Sequence, residues 1–204
     1  MLARGSEPIM GIFLAGILLA LAAWLVFGGF LLAISLALVA AILFVMLFFR
    51  DPERHPGSDI VAPADGVVTD ISDFDDYVRI ATFMNVHNVH VNRAPIDCVV
   101  KSQKHMDGKC GPAYGKDAEN NERTITLLET KIGGIKIVQI AGVFARRIVS
   151  YVKEGQSLSK GERIGMIRFG SRVDLYLPKK NVRVTVKTGE KVRAGESTVA
   201  EFHV

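Results

Sequence analysis

An uncharged apolar stretch near the N-terminus most constrains how this chain can fold. No charged residue occurs between Glu7 and Arg50, and nearly every position between them is Leu, Ile, Val, Ala, Phe or Gly. A single membrane-spanning helix needs about 20 apolar residues, so the stretch is roughly twice too long for one crossing. Because the glycine pair of FGGF forms a natural turn, we predict a hairpin of two membrane helices, at residues 9–27 and 30–49. One strongly tilted helix and a re-entrant pair are the alternatives.

The charges that flank this hairpin predict its orientation. Both ends of a hairpin lie on one side of the membrane; Arg4 precedes the first helix, and Arg50 and Arg54 follow the second. Cytoplasmic flanks carry an excess of Lys and Arg. We therefore expect a membrane anchor at residues 1–50 and a domain at residues 51–204 on the cytoplasmic side of the cell membrane.

The cysteines and the overall charge agree with that side. Cys98 and Cys110 lack the C-x-x-C spacing, and Cys98, within IDCVV, is typical of a small core residue. The net charge of +4 and the pI near 9.1 suit a domain held against an anionic leaflet. Basic residues are scattered among acidic ones without interleaved aromatics, so nucleic acid is not an expected partner.

The chain after residue 50 is rich in short β-branched runs separated by glycine, such as GVVTDI, YVRIATF and IKIVQIAGV. Many short strands with turn signals predict a mainly β domain, a small β-sandwich or barrel-sandwich. Residues 152–162 and 186–196 share the pattern V-K-x-G-x-x-[LV]-x-x-G-E. Two such units resemble the folded hammerhead of lipoyl and biotinyl carrier domains. Neither copy has the lysine that a carrier domain presents at the tip of a hairpin. This repeated pattern, which we call the sequence echo, therefore indicates the fold and not a carrier function.

Residues 101–123 do not have the pattern of a strand, because they combine glycines, a proline and mixed charge. A long loop of this kind in a compact domain is typical of a lid or a binding loop. A solvated insertion is the alternative.

The stretch MIRFGSRVDLYLP, residues 166–178, alternates like one half-buried strand except at Gly170 and Ser171. A glycine within a strand often marks a β-bulge or a close approach of another group. The ordinary interpretation is therefore a bulge. The alternative is that the Gly-Ser pair carries chemistry on its own backbone.

Three further pieces carry reactive side chains: Asp65 in APADGVV, His87 and His90 in NVHNVHVNRAP, and Arg146 and Arg147 in AGVFARRIVSYV. An Asp-Gly pair is commonly a turn, and paired arginines are commonly a surface feature or an anion clamp. The histidines would face opposite sides of a strand but share one side of a tight loop. We expect no metal, because a third and fourth ligand at a convincing spacing are missing.

Taken together, these pieces resemble the phosphatidylserine decarboxylase family in its short, membrane-anchored form. The resemblance rests on FFRDPER, PADG, HNVHVNRAP, ENNER, AGVFARRIV and FGSRVDLYLP, which follow the family's order over residues 49–178. Longer members commonly have Leu-Gly-Ser-Thr where this chain has Phe-Gly-Ser-Arg. That departure fits the short branch and leaves open whether the lipid is phosphatidylserine or an archaeal ether-lipid analogue.

The resemblance implies a decarboxylase that makes its own pyruvoyl cofactor. Ser171 would attack the Gly170 carbonyl, and the chain would be cut into residues 1–170 and 171–204, which stay together as a heterodimer. The pyruvoyl group formed from Ser171 would bind the amine of phosphatidylserine as a Schiff base, and carbon dioxide and phosphatidylethanolamine would result. A homodimer of these heterodimers is left open.

The resemblance also implies individual roles. Asp65, His90 and Ser171 would carry out the self-cleavage, since a serine hydroxyl needs a base to take its proton. His87 would engage the substrate carboxylate, and His90 would serve again as acid or base at the α-carbon. We add that Arg146 or Arg147 would hold the lipid phosphodiester, because a guanidinium suits phosphate oxygens.

Two other functions would use the same features. A membrane-anchored barrel-sandwich adaptor without catalysis explains the anchor, the strands and the echo, but not the set of Asp65, His87, His90 and Ser171. A membrane-bound serine hydrolase would use Ser171 as a free nucleophile, but the chain lacks the G-x-S-x-G elbow.

Overall fold

The computed structural model describes residues 2–4, 6–28, 31–108, 111, 120–142, 147–168 and 171–202. The chain forms two compact units, Met1–Pro52 and Glu53–Val204. The first is helical, and the second is built almost entirely from β-strands.

The first unit is a hairpin of two helices that pack on each other, α1 at Glu7–Phe27 and α2 at Leu31–Phe48. Helix α1 ends at Gly28, which adopts a φ of 59°. The N–H of Ala3 donates to the carbonyl of Phe49 at 2.7 Å, so the two open ends of the hairpin lie together. Two helices therefore form where two were predicted, instead of one long tilted helix.

Each helix contains a long apolar segment among the residues whose side chains the structure describes. The segment Glu7–Leu25 is long and apolar enough to cross, with a mean hydropathy of 2.3. The apolar segment Ala33–Phe48 is shorter. Most large side chains of the hairpin, including Leu25 and Leu43, are exposed, as suits an apolar surrounding.

The second unit is mainly β, as the sequence predicts. Its described strands are β1 Ile60–Val61, β2 Gly66–Asp73, β3 Tyr77–Met84, β4 Val91–Arg93, β5 Cys98–Met106, β6 Arg123–Thr130, β7 Gly133–Ala141, β8 Ile148–Ser150, β9 Ser157–Leu158, β10 Arg163–Ile167, β11 Ser171–Pro178, β12 Val182–Val184, β13 Lys191–Val192 and β14 Thr198–Phe202. A short 3-10 turn, Lys179–Asn181, separates β11 from β12.

These strands form one large and two small sheets, and neighbouring strands are antiparallel. The large sheet has the order β13-β2-β3-β11-β7-β6-β5-β9. The small sheets have the orders β1-β14-β12 and β4-β10-β8. One hydrophobic cluster joins all three sheets, with Leu175 from β11, Ile164 from β10 and Ala200 from β14 among its members. The small sheets therefore cover the core face of the large one.

Residues 166–178 do not form one strand with a bulge. Strand β10 ends at Ile167 in a small sheet, and β11 begins at Ser171 in the large sheet. The bulge interpretation is therefore wrong, because the chain passes from one sheet to another between these residues. Gly170 itself lies outside the described residues.

Part of the predicted loop at residues 101–123 is also a strand. Strand β5 continues to Met106, which pairs with Arg123 at the start of β6. The alternation in KSQKHM is too polar to resemble a buried strand, yet the ladder to β6 extends it. Of the remainder, residues 109, 110 and 112–119 lie outside the described part of the chain.

The sequence echo corresponds to two copies of one turn structure. The first glycine of each copy, Gly155 or Gly189, has a φ of 80° or 90°. Its N–H donates to the carbonyl of Val100 in one copy and of Val68 in the other, at 2.8 Å and 2.7 Å. A positive φ of this size favours glycine in both places.

The second glycine of each copy repeats this relation. Gly161 and Gly195 have φ values of 82° and 78°. Their N–H groups donate to the carbonyls of Ala94 and Ala62, at 2.8 Å and 2.9 Å. The two turns thus form hydrogen bonds with two equivalent segments of the chain.

These two hydrogen-bonded segments share a second repeated pattern, which the sequence analysis missed. Residues 62–68 read APADGVV and residues 94–100 read APIDCVV, with the shared pattern A-P-x-D-x-V-V. The order of the large sheet is symmetric in the same sense, since β2 and β5 each lie second from an edge. The domain is therefore an internal duplication.

Candidate active site

Three of the predicted site residues, Asp65, His90 and Ser171, lie at, or close in sequence to, one row of strand ends in the large sheet, which we call the site edge. Ser171 begins β11 and pairs with Met84, the last residue of β3. Gly66 begins β2 beside that end of β3, so Asp65 precedes the sheet at the same edge. The segment that leads from Met84 to His90 leaves from this edge as well. The antiparallel register thus brings together residues far apart in the sequence.

The Ser171 side chain is fully buried. Its Oγ donates a hydrogen bond to the Sδ of Met84 at 3.3 Å. A thioether is only a weak acceptor and takes up no proton at neutral pH. The contact therefore orients the hydroxyl, and a base for its proton has to come from another residue.

A buried amide chain supports the same sulfur. Asn92 donates from Nδ2 to the Met84 sulfur at 3.7 Å, and its Oδ1 accepts from Nε2 of Gln139 at 2.8 Å. Asn92 and Gln139 are almost completely buried. The Gln139 amide fits because Gly165 carries no side chain; a Cβ there would lie 3.2 Å from Nε2 of Gln139 and 2.6 Å from a backbone oxygen.

His90 is buried, and a backbone carbonyl orients its ring. Its Nδ1 lies 2.9 Å from the carbonyl oxygen of Asn88. Because a carbonyl can only accept, Nδ1 carries the proton of the neutral ring and Nε2 carries the lone pair. The main chain of His90 is also fixed, since its carbonyl accepts from Ile167 at the end of β10. This is the tautomer that a general base requires.

His87 lies on the tight turn that precedes His90, and its environment is different. Asn88 Oδ1 accepts from the N–H of Asn85 at 2.8 Å, and the N–H of Asn88 donates to the carbonyl of Asn85 at 2.9 Å. This turn presents His87 and Val86 to solvent. One histidine is thus buried, while the other faces outward from the same edge.

Asp65 is buried and bonded at both carboxylate oxygens. Arg54 reaches Oδ1 through Nη1 and Oδ2 through Nη2, each at 2.9 Å. The backbone N–H of Ala194 donates to Oδ1 at 2.8 Å. Gly66 places this aspartate, because a Cβ on Gly66 would lie 2.0 Å from the carbonyl oxygen of Phe83 on β3. Only glycine permits that approach.

Arg147 is exposed beside a cavity of about 430 Å³ on the core face of the sheet. The cavity is also lined by His105, Glu122 and Thr124, and Thr124 pairs across the strands with Gln139. Cross-strand partners share a face, so the cavity opens on the same face as Ser171. Arg146, the other arginine predicted to hold the phosphodiester, lies outside the described residues.

In the part of the domain that the structure describes, other reactive groups do not form a second site of this kind. Cys98 is a free, buried thiol, and burial together with nearby Asp97 and Glu162 raises its pKa to about 11, which makes it a poor nucleophile. Cys110 lies outside the described residues. Among the residues that the structure describes, no cluster of three or more His, Cys, Asp or Glu side chains is placed to hold a metal ion.

Sequence reasoning missed several residues of this region. Arg54 was assigned only to the orientation of the anchor, although the motif FFRDPER offered a signal that it has a second role. Asn92 lies within the motif HNVHVNRAP. Met84 and Gln139 have the pattern of ordinary strand residues, and only the register between distant strands reveals their contacts.

Comparison with known proteins identifies the family. A family model described as phosphatidylserine decarboxylase matches residues 41–200. The chain belongs to the phosphatidylserine decarboxylase family. It is 50% identical over 157 residues to a phosphatidylserine decarboxylase proenzyme of Streptomyces coelicolor, which covers 76% of this chain and 72% of that protein.

Other members of the family cover more of the chain. A phosphatidylserine decarboxylase proenzyme of Thermobifida fusca is 48% identical over 167 residues, covering 81% of this chain and 76% of that protein. A Methanosarcina acetivorans protein, provisionally named as an archaetidylserine decarboxylase proenzyme, is 42% identical over 208 residues, covering 98% of this chain and 96% of its own length. As a member of the phosphatidylserine decarboxylase family, the chain is a decarboxylase and not an adaptor or a serine hydrolase.

Proposed function

We propose that this decarboxylase cuts itself between Gly170 and Ser171 and uses the pyruvoyl group so formed to decarboxylate a phosphatidylserine headgroup. The proenzyme names of the relatives support processing of the chain. The observation that carries the proposal is the buried Ser171 hydroxyl at the sheet edge that also holds Asp65 and His90. A residue used only for substrate binding would not need a buried hydroxyl at the start of a strand.

The self-cleavage begins with the Ser171 Oγ. His90 takes its proton at Nε2, the nitrogen that the Asn88 carbonyl leaves with a lone pair. The alkoxide attacks the Gly170 carbonyl, and collapse transfers the acyl group from nitrogen to oxygen, which gives an ester. Loss of the α-proton of residue 171 then expels the carboxylate of Gly170 and leaves dehydroalanine. One water adds, ammonia leaves, and a pyruvoyl group begins the second chain.

The surroundings of Ser171 fit such a group. The position is buried, and Ser171 Oγ and Asn92 Nδ2 both donate to the sulfur of Met84. A pyruvoyl carbonyl supplies the electron sink that no standard side chain offers. His87, outward-facing on the turn at this edge, engages the substrate carboxylate, and His90 moves a proton at the α-carbon. The proposal gives the phosphodiester to Arg147, and the exposure of this arginine beside the cavity supports that role.

The substrate is a lipid with a phosphoserine headgroup. The names of the relatives indicate phosphatidylserine or archaetidylserine, which share this headgroup and differ in the attachment of their hydrocarbon chains. A helical hairpin would keep the domain where that headgroup lies. The arginines that flank the hairpin favour the cytoplasmic face.

Mass spectrometry of the intact protein tests the proposal. We expect two chains, residues 1–170 and 171–204, the second blocked by a pyruvoyl group, and a single chain of 22.3 kDa for Ser171→Ala. Vesicles that contain phosphatidylserine or its ether-linked analogue, each labelled in the carboxylate, then separate the two substrates by release of carbon dioxide. A single wild-type chain with an ordinary serine at position 171, or reaction of that serine with a fluorophosphonate, would contradict self-cleavage.

A further inference from the structure

The internal duplication gives Asp65 an equivalent in the other half of the domain. Asp65 and Asp97 occupy the same position of the A-P-x-D-x-V-V echo. Asp97 accepts from the N–H of Lys160 at 2.7 Å, and Asp65 accepts from the N–H of Ala194 at 2.8 Å. Lys160 and Ala194 are themselves equivalent positions of the two echoed turns. This hydrogen bond therefore belongs to the fold and not to the chemistry of one copy.

The two aspartates differ in what else they contact. Asp97 is exposed, and among the described residues its carboxylate has the Lys160 N–H as its hydrogen-bond partner. Asp65 is buried, and Arg54 binds both of its oxygens. The Arg54 side chain is itself only 6% exposed. The arginine is thus the feature that distinguishes the copy with the candidate site.

Arg54 is fixed from a second side. Its Nη1 donates to the carbonyl of Ala194 at 3.2 Å and lies 3.8 Å from Glu196. A two-pronged contact of a planar guanidinium fixes the plane of a carboxylate as well as its distance. Among the described residues, Oδ1 of Asp65 contacts Arg54 Nη1 and the Ala194 N–H, whereas Oδ2 contacts Arg54 Nη2, so Oδ2 keeps capacity for a further hydrogen bond.

We infer that Arg54 is the positioning residue of the self-cleavage: it holds the Asp65 carboxylate in one orientation at the strand ends where Ser171 also lies. This inference rests on the proposed function. Burial of a carboxylate is costly unless hydrogen bonds and an opposite charge compensate it, whereas Asp97 is exposed to solvent. Arg54 acts through Asp65 and touches neither the lipid nor the bond that is cut.

The test is the rate of self-cleavage of the full chain, synthesised in a cell-free system with phospholipid vesicles and followed by denaturing electrophoresis. We expect Arg54→Ala to slow cleavage by on the order of 100-fold, the effect of a misplaced reacting group. Arg54→Lys keeps the charge but not the two-pronged contact, and should fall between. Added guanidinium, well below unfolding concentrations, should restore part of the rate of Arg54→Ala, which a purely structural defect would not allow.

Two variants serve as matched controls. Asp97→Asn weakens the equivalent contact in the other copy, and Glu53→Gln removes an exposed ion pair to Arg163 next to Arg54. Both should cleave within about twofold of wild type, as expected for surface changes. Cleavage of Arg54→Lys at the wild-type rate, or a deficit in Arg54→Ala that guanidinium leaves unchanged, would overturn the inference. An uncut wild-type chain would instead refute the proposed function.

Discussion

The close approach of two strands at Gly66 leads to a prediction that the structure makes quantitative. In Gly66→Ala the new Cβ would lie 2.0 Å from the carbonyl oxygen of Phe83 and 2.8 Å from its carbon. Backbone atoms of a paired strand cannot move aside as the end of a flexible side chain can, so β2 and β3 must separate locally. Gly66 also has a backbone φ of 154°, which residues that carry a side chain rarely adopt.

The expected loss in the free energy of unfolding for Gly66→Ala has two parts. Overpacking costs about 1–3 kcal/mol, and a non-glycine residue at such a φ costs about 1–3 kcal/mol more. We expect Gly66→Ala to lose about 4 kcal/mol, out of the 5–15 kcal/mol that usually stabilises a domain. For a domain of this size the midpoint of thermal unfolding should fall by roughly 10 °C. Self-cleavage should slow as well, because Asp65 is the neighbouring residue.

Two other glycines separate overlap from backbone strain. Gly189 has a φ of 90° but open space around its Cβ position, so Gly189→Ala should cost only about 1–2 kcal/mol. Gly134 has open space and no such φ, so Gly134→Ala should be neutral or stabilise by up to about 1 kcal/mol. Thermal unfolding of all three, each in the uncut Ser171→Ala chain, gives the ranking. Each kcal/mol shifts the unfolding midpoint of a domain of this size by ~2–4 °C. A Gly66→Ala midpoint within about 3 °C of the Gly189→Ala midpoint would therefore refute the overlap argument.

Three further predictions follow from single residues. His87→Ala should still cut its chain yet release carbon dioxide slowly, and an uncut His87→Ala chain would contradict the division of roles between the two histidines. In a Cys110→Ser chain, Cys98 should resist iodoacetamide at pH 8 until the domain unfolds, because at a pKa of about 11 only about a thousandth of the thiol is ionised. Hydrogen bonds from the hydroxyl of Ser72 and from Arg79 lower the pKa of Asp70. The Asp70 carboxylate therefore stabilises the fold at pH values above its pKa in the unfolded chain. This contribution is lost as the pH falls through its pKa in the folded chain. The unfolding midpoint of Asp70→Asn should therefore lie below that of wild type at pH 7 and approach it in acid, and an unchanged gap at pH 2–3 would contradict this assignment.

The sequence was sufficient for features that depend on local pattern. Uncharged length predicts two helices, and the FGGF turn places the break between α1 and α2. Alternation and glycine spacing predict a mainly β domain, and the echo at residues 152–162 and 186–196 predicts a repeated unit. Each of these follows from side chains close together in the chain, where periodicity reports the environment of a residue directly.

The contacts around Ser171 depend instead on register between distant strands. Ser171 and Met84 are 87 positions apart, and Asn92 and Gln139 are 47 apart. A shift of one residue in any pairing would point these side chains to the other face of the sheet. The partner of Asp65 was also beyond local reasoning, since Arg54 lies in an irregular segment before the first strand. The family resemblance supplied the candidate residues but none of these contacts.

Within the described residues, the two halves of the duplicated domain differ at the strand ends where the candidate site lies. Gly66 and Cys98 are equivalent positions, and Cys98 carries a buried side chain between β6 and β9, whereas a Cβ on Gly66 would lie 2.0 Å from the carbonyl oxygen of Phe83. At the strand ends near Cys98, opposite the site edge, strands β6 and β7 are joined by a two-residue turn from Thr130 to Gly133. At the site edge, β3 is followed by the segment that carries both histidines. Strand β11 begins there at Ser171, after the chain has passed through a different sheet. The half that closes with a tight turn has no length of chain in which to place a base, which fits the proposal that self-cleavage takes place in the half whose connections are longer.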